Sequence, residues 1–313
     1  MILPTPRGRL GEAVVAAARD PRSDVHATTP SSREDADLAL WMLHELHYRG
    51  FEDADPHAEW DPRLLQVRVD LEAELEDRLR VRFPGVPEES GDLATTLFEV
   101  IEKFEGASVS AFVHRHATTE QVLHLMRVRS IYHLKEADPS AFVLPRLSGA
   151  AQAGLAELLY DEYGGGRAER LHSGLFARGL ADAGLDPAYG AYVDEAPAEV
   201  LEQNNALTMF GVHGRLRAAA MGHLAAFEAT SSMASRRMAQ GLRRLDLPES
   251  LAHYYDEHVE ADAVHEQVAV RAICVPMIEA EPHLREDLFL GVFTCLDQED
   301  RVARHLLATW EAA

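Results

Sequence analysis

Cysteine is almost absent. Cys274 and Cys295 are the two in 313 residues, and each sits in an apolar run, Ala272-Ile273-Cys274-Val275 and Phe293-Thr294-Cys295-Leu296. That excludes a disulfide framework and reads as two reduced core thiols of a cytoplasmic protein. Long apolar runs are missing too: none approaches the roughly 18 residues of a membrane span. The opening Met1–Arg7 has no signal-peptide core, and Val14–Ala18 is too short and is followed by Arg19 and Asp20. Positive charge is scarce. Thirty Lys and Arg against 52 Asp and Glu leave a net charge of −22, which argues against nucleic acid and anionic membrane as partners. Strand-like alternation is nearly absent, no internal repeat is visible, and Gly164-Gly165-Gly166 has no preceding strand to make it a dinucleotide-binding loop. What remains is 47% hydrophobic content, ample for the core of one large domain or two smaller ones.

The pattern that fills this space is helical. Residues 1–34 read as loosely ordered, above all Pro21–Glu34 with its Asp, Ser, Thr and Pro content. A capped helix is expected from about Asp35 through His47, and a second amphipathic stretch over Leu64–Val81. Pro84 to Pro87, with Ser90 and Gly91, mark a loop. It divides the chain into an N-terminal helical extension, 1–90, and a catalytic bundle, 91–313. Further helices are expected over Thr95–Phe104, Thr119–Leu134, Ala150–Glu162, Leu171–Ala183, Val200–Ala229, Ser231–Leu245, Ser250–Val275 and Leu284–Ala312. The class is all-α.

Carboxylates and histidines recur on these helices at helical spacing. At about 100° per residue, His258, Asp262 and His265 fall within an arc of about 60° on one face. On an unbroken helix, Glu162, Glu169 and His172 would span an arc of about 80°. Glu136 precedes both groups, near a helix end because Pro139 follows. Of 16 histidines, His172 and His265 have a carboxylate three residues earlier, whereas composition alone would give about three such pairs. The pairs themselves therefore decide little. The added His258 and the succession acid, acid-acid-His, His-Asp-His single these positions out. Imidazole nitrogens and carboxylate oxygens from facing helices are how a bundle builds a two-metal site, and a donor set without thiolate suits iron or manganese. The glycine run leaves two options: one distorted helix, or a helix that ends at Glu162 and another that carries Glu169 and His172.

Other candidates carry blander readings. His44 and His47 look like the edge of an amphipathic helix, and His114 and His116 like surface residues. His133 shares a face with Glu136 and is placed beside the site rather than in it. Glu228, an acid in an apolar stretch, reads first as half of a buried ion pair with an arginine and second as a residue near the site. Asn204 and Asn205 would suit a polar pocket, and Met42, Met126, Met209 and Met221 read as core.

Glu136, then Asp161-Glu162-Tyr163-Gly164, Glu169 with His172, and finally His258, Asp262 and His265 resemble the heme-oxygenase-like di-iron oxidases, the iron-containing redox enzymes, over roughly residues 110–275. The resemblance implies a heme-oxygenase-like bundle, a homodimer, and two iron ions bound by Glu136, Glu162, His172, His258, Asp262 and His265, the second held weakly. Glu169 occupies the place of a seventh ligand in members that oxygenate an amine nitrogen, and members that cleave carbon–carbon bonds generally lack a carboxylate there. The expected activity is therefore a di-iron, O2-activating N-oxygenase that takes a small amine to a hydroxylamine or nitro product in specialised metabolism. Its two electrons per turnover come from an external donor, since the chain carries no motif for one. An oxidative carbon–carbon lyase on an amino or fatty acid is the alternative, followed by an iron-binding protein without an organic substrate. A heme pocket is disfavoured, because several inward carboxylates would be costly beside a porphyrin.

Overall fold

Short polar residues set where the helices begin. The computed structural model describes residues 1–25, 28–88 and 91–312, with the side chains of Glu260, Asp262 and Ala263 also outside the described set. Part of the Pro21–Glu34 stretch and Ser90 of the expected interdomain loop thus lie outside the described residues. No strand occurs among those that are described. The first layer consists of α1 (Arg9–Arg19), α2 (Arg33–Glu45) and α3 (Pro62–Arg82). Ser32 accepts from the Asp35 N–H to cap α2, and Asp61 caps α3 with Pro62 in its first turn. The presence of α1 corrects the expectation of loose order before residue 34. Leu10, Val14, Val15, Ala17 and Ala18 are buried there, so tertiary packing orders a segment whose composition does not announce it.

Then follow α4 (Leu93–Glu102), α5 (Val109–Arg115) and α6 (Thr119–His133), the last opened by a reciprocal capping box between Thr118 and Gln121. A short α7 (Asp138–Ala141) leads into α8 (Gly149–Glu162) and α9 (His172–Asp182). Next come α10 (Ala198–Val212), α11 (Arg217–Arg244), α12 (Glu249–Gln267), α13 (Val275–Ala280) and α14 (Arg285–Ala312). The helix expected over Val200–Ala229 is interrupted at His213–Leu216, where Gly211 and Gly214 weaken helical propensity. The break expected at Thr230–Ser231 does not occur. Both hydroxyls bond back into α11, Thr230 Oγ1 to Ala226 O at 2.9 Å and Ser231 Oγ to Phe227 O at 2.6 Å.

The long helix α11 runs through the middle, packed along α12 and α14. At its crossing with α14 the backbones nearly touch. A Cβ on Gly222 would collide with the Leu288 carbonyl, and one on Gly291 with the Ala219 carbonyl. Beyond His265 the backbone widens into a π-helical stretch, Val268–Cys274. Pro276 follows and cannot donate to the carbonyl of Ala272. Both cysteines are free and buried.

The N-terminal layer is bonded to the rest by buried charge as well as by a shared apolar core. Glu202 of α10 meets Arg33, Arg78 and Arg82 at 3.1, 3.3 and 2.7 Å. Glu72 of α3 lies 2.9 Å from His44 Nε2 and 2.8 Å from His213 Nε2. His44 is therefore no helix edge; it is buried between Glu72 and Asn205. Nor do the asparagines form a pocket, since Asn205 bonds the Asp37 carbonyl and Asn204 the Val200 carbonyl. Lys135 pairs with Glu45 beneath Tyr48, whose ring centroid is 4.2 Å from the ammonium, and Tyr189 donates to the same carboxylate. Trp41, Leu43, Leu46 and Phe51 are all buried within the chain.

Candidate metal centre

Five separate segments deliver carboxylates and imidazoles to one buried point. Glu136 stands in the turn after α6. Glu162 is the last residue of α8, His172 the first of α9, and His258 and His265 lie on α12. Glu228 comes from α11. Glu162 and His172 do not share one helix face: of the two options the glycine run left open, the helix that ends at Glu162 is the one observed, with Glu169 on a 3-10 turn before the next helix. The helix ends, and two 3-10 turns, Gly164–Gly166 and Ala168–Arg170, fold the chain back. All three glycines have positive φ, and a Cβ at Gly164 would stand 2.6 Å from the Arg170 carbonyl carbon. The glycine run thus lets a helix end and the next helix start face each other, with His172 Nδ1 2.9 Å from Glu162 Oε2.

Donor atoms of Glu136, Glu162, His172 and His258 lie within 4.8 Å of one another, and so do those of Glu162, Glu228 and His265. Glu162 belongs to both groups. Its Oε1 is 3.4 Å from His265 Nδ1, which is 3.5 Å from Glu228 Oε2. Two histidines are held in a defined tautomer. His258 Nδ1 donates to the Tyr254 carbonyl at 2.7 Å, so Nε2 carries the lone pair and faces Glu136 Oε1 at 3.7 Å. His265 Nε2 donates to Asp161 at 2.9 Å, which turns Nδ1 toward Glu162 and Glu228, placed to ligate once its proton is displaced. Glu136 is itself held by Tyr254 Oη at 2.7 Å and by His133 Nδ1 at 3.3 Å.

Electrostatics mark the same atoms. Glu136 Oε1, His172 Nδ1 and His265 Nδ1 are buried against opposite charges at 3.7, 2.9 and 3.4 Å but make no well-aligned hydrogen bond, an arrangement that a shared cation would satisfy better. Burial pushes the Glu136 carboxyl up, but His133 and His258 outweigh it and hold it below the usual range. Burial raises Glu228. His265 is pushed up to about 9, burial opposing and Glu228, Glu162 and Asp161 prevailing. Carboxylates and imidazoles crowded in this way fit a pair of metal ions with mixed oxygen and nitrogen ligands, which would displace the imidazole protons.

Glu169 is not brought into the cluster. It is exposed on its 3-10 turn, and its carbonyl accepts from Arg178. It does line a polar cleft of about 640 Å³ that opens onto His172 and His265. The side chain of Asp262 lies outside the described residues; its backbone is part of α12. Glu228 escapes the spacing argument because it has no histidine or acid at helical spacing on α11. The available sign was a lone acid after Leu224-Ala225-Ala226-Phe227, and no arginine meets it: among the described residues its ion-pair neighbour is His265.

An all-helical bundle whose helices converge buried carboxylates and imidazoles belongs to the class that builds metal sites in its interior. The family model for iron-containing redox enzymes matches residues 123–300, and the chain belongs to that family, with its heme-oxygenase-like fold. A crystal structure of a CADD-like protein of unknown function from Nostoc punctiforme PCC 73102 aligns at 15% identity, with a TM-score of 0.49. The alignment covers 75% of this chain and 96% of that one. No curated protein matches the chain.

Proposed function

We propose that the chain is a di-iron, O2-activating N-oxygenase of a small amine. The observation that carries the two-metal part is Glu162, shared between two groups of buried donors. Glu136, Glu162, His172 and His258 would hold one iron, and Glu162, Glu228, His265 and, by the family resemblance, Asp262 the other. Two ferrous ions held there would supply electrons to dioxygen. The chain's own groups do the rest. Tyr254 and His133 fix the Glu136 carboxylate, Asp161 fixes the His265 ring, and the Tyr254 carbonyl fixes His258. Leu158, Leu159, Leu224 and Phe227 give the narrow space of about 20 Å³ beside Glu136 and Glu228 its apolar walls.

The balance of the reaction is one oxygen atom inserted at the amine nitrogen and one released as water, with two electrons and two protons from an external reductant. A cytoplasmic homodimer is part of this reading. Its contact lies outside Trp41, Leu43, Leu46 and Phe51, which the monomer itself buries.

Oxidative carbon–carbon cleavage is the second reading, and the place of Glu169 outside the cluster is what favours it. Anaerobic Fe(II) titration should reach two irons per chain, one clearly weaker, and His258→Ala should lower that uptake. Saturation at one iron would sink the di-iron reading. With iron loaded, Glu169→Ala should keep uptake and fold and suppress hydroxylamine formation. Wild-type turnover on an amine in that variant would remove the argument for nitrogen over carbon chemistry.

A further inference from the structure

We propose that the organic substrate sits in an apolar chamber behind the metal centre, and that this chamber selects an amine which is uncharged at neutral pH, an arylamine. The inference rests on the N-oxygenase reading and names its substrate class. The chamber, about 390 Å³, lies between α5, α6, α11, α12 and α14 and shares no lining residue with the polar cleft. That volume suits a ligand of one or two fused rings. Its walls include Phe104, Leu125, Phe227, Met238, Tyr255 and Leu296. Phe227 also bounds the narrow space beside Glu136, Glu228 and His258, so its ring is a wall common to the chamber and the candidate metal centre. His133 lines the chamber as well, while its Nδ1 bonds Glu136 and Tyr254.

The charges of the chamber decide what it accepts. Arg129 and Glu299 reach its wall but satisfy each other through two contacts of 2.8 and 2.5 Å, and Gln203 donates to the same carboxylate. Asp300 is taken by Arg304 and by the Ala107 N–H. No carboxylate of the wall is left to balance a buried ammonium, and desolvating an alkylammonium without a counter-charge is expensive. An arylamine enters neutral. Aromatic and methionine side chains offer its ring edge, face and thioether contacts. Arg237 also lines the chamber and could meet a carboxylate, but the ammonium of an α-amino acid would still need Glu299 or Asp300 to give up its partner. The cleft lined by Glu157, Asp161, Glu169, Arg170 and Arg178 offers the opposite environment, wet and charged.

The test is equilibrium binding to the full chain, read by fluorescence so that it depends on no turnover. The probes are 1-aminonaphthalene, neutral at pH 7, and 1-naphthylmethylamine, which has the same rings and a protonated amine. The expected result is saturable binding of the first and at least about tenfold weaker binding of the second. Met238→Trp, which fills the chamber, should abolish binding. Ser231→Trp at the rim should weaken it at least about tenfold, and serves if the first variant fails to fold by circular dichroism. Equal affinity for the two amines, binding untouched in a folded filled variant, or no binding at all overturns the proposal. Binding without any oxygenated product would instead count against the N-oxygenase reading and leave the chamber's selectivity standing.

Discussion

Glu228 is buried in an apolar turn of α11 with His265 as its nearest opposite charge. A carboxylate in that position either takes up a proton or meets a cation, and burial drives it toward the proton when no cation is present. Glu228→Gln keeps the shape and removes the anionic donor. It should weaken the second iron by more than the roughly tenfold that outer partners carry, with the first site nearly unchanged. Asp161→Ala, which leaves His265 Nε2 without its acceptor, should weaken that same site by about 10- to 100-fold. Calorimetry with Fe(II) under nitrogen checks both, and unchanged two-site isotherms would remove both residues from the centre. How far the site can be read from sequence follows the same line. His258 and His265 were legible because one helix carries both, so periodicity maps to a face. Glu162 and His172 meet through a reversal of the chain that periodicity does not encode. Glu228 was legible only as the lesser of two readings, because its partners come from other helices.

At the scale of the element, α11 is the helix to perturb. His223 lies fully inside it, with Nε2 unpartnered, and burial pulls its basicity down to about 4 while Glu299 opposes weakly. The unfolded chain takes up this proton near 6.5, and the folded chain only near 4. Between those values the unfolded state binds more protons, so stability is full above pH 6.5 and falls as the pH drops. The loss is about 1.4 kcal/mol per unit and roughly 3 kcal/mol in all. His223→Met should flatten the acid limb of a urea-melt series between pH 7 and 4, and an unaltered limb would assign the loss to other groups. Helix boundaries were legible where a cap or proline fixed them, as at Ser32, Asp61–Pro62 and Thr118. They were illegible at Thr230–Ser231, where two hydroxyls that favour a break in isolation are satisfied inside a packed helix.

For the molecule as a whole, the question is what holds the N-terminal layer against the bundle. The Lys135–Glu45 pair is buried on both sides and adjoins Glu136 in sequence. Removing one partner of such a pair costs about 3–5 kcal/mol, because the other charge stays behind. Glu45→Gln should therefore lower stability by about 3 kcal/mol in denaturant melts and loosen the turn that presents Glu136. A loss below about 1 kcal/mol would show that the layer is held by its apolar contacts alone. The all-α class could be read from sequence, since nearly every segment repeats at 3.6 residues. The attachment of the layer could not, because it depends on single charges buried between segments far apart in the chain. Lys135 and Lys103 are the chain's two lysines, and Lys103 is mostly exposed. An amine-directed acylating reagent should therefore mark Lys103, together with the terminal amine, and spare Lys135 while the layer is seated. Acylation at Lys135 becomes a chemical clock for its detachment, readable peptide by peptide in a mass spectrometer.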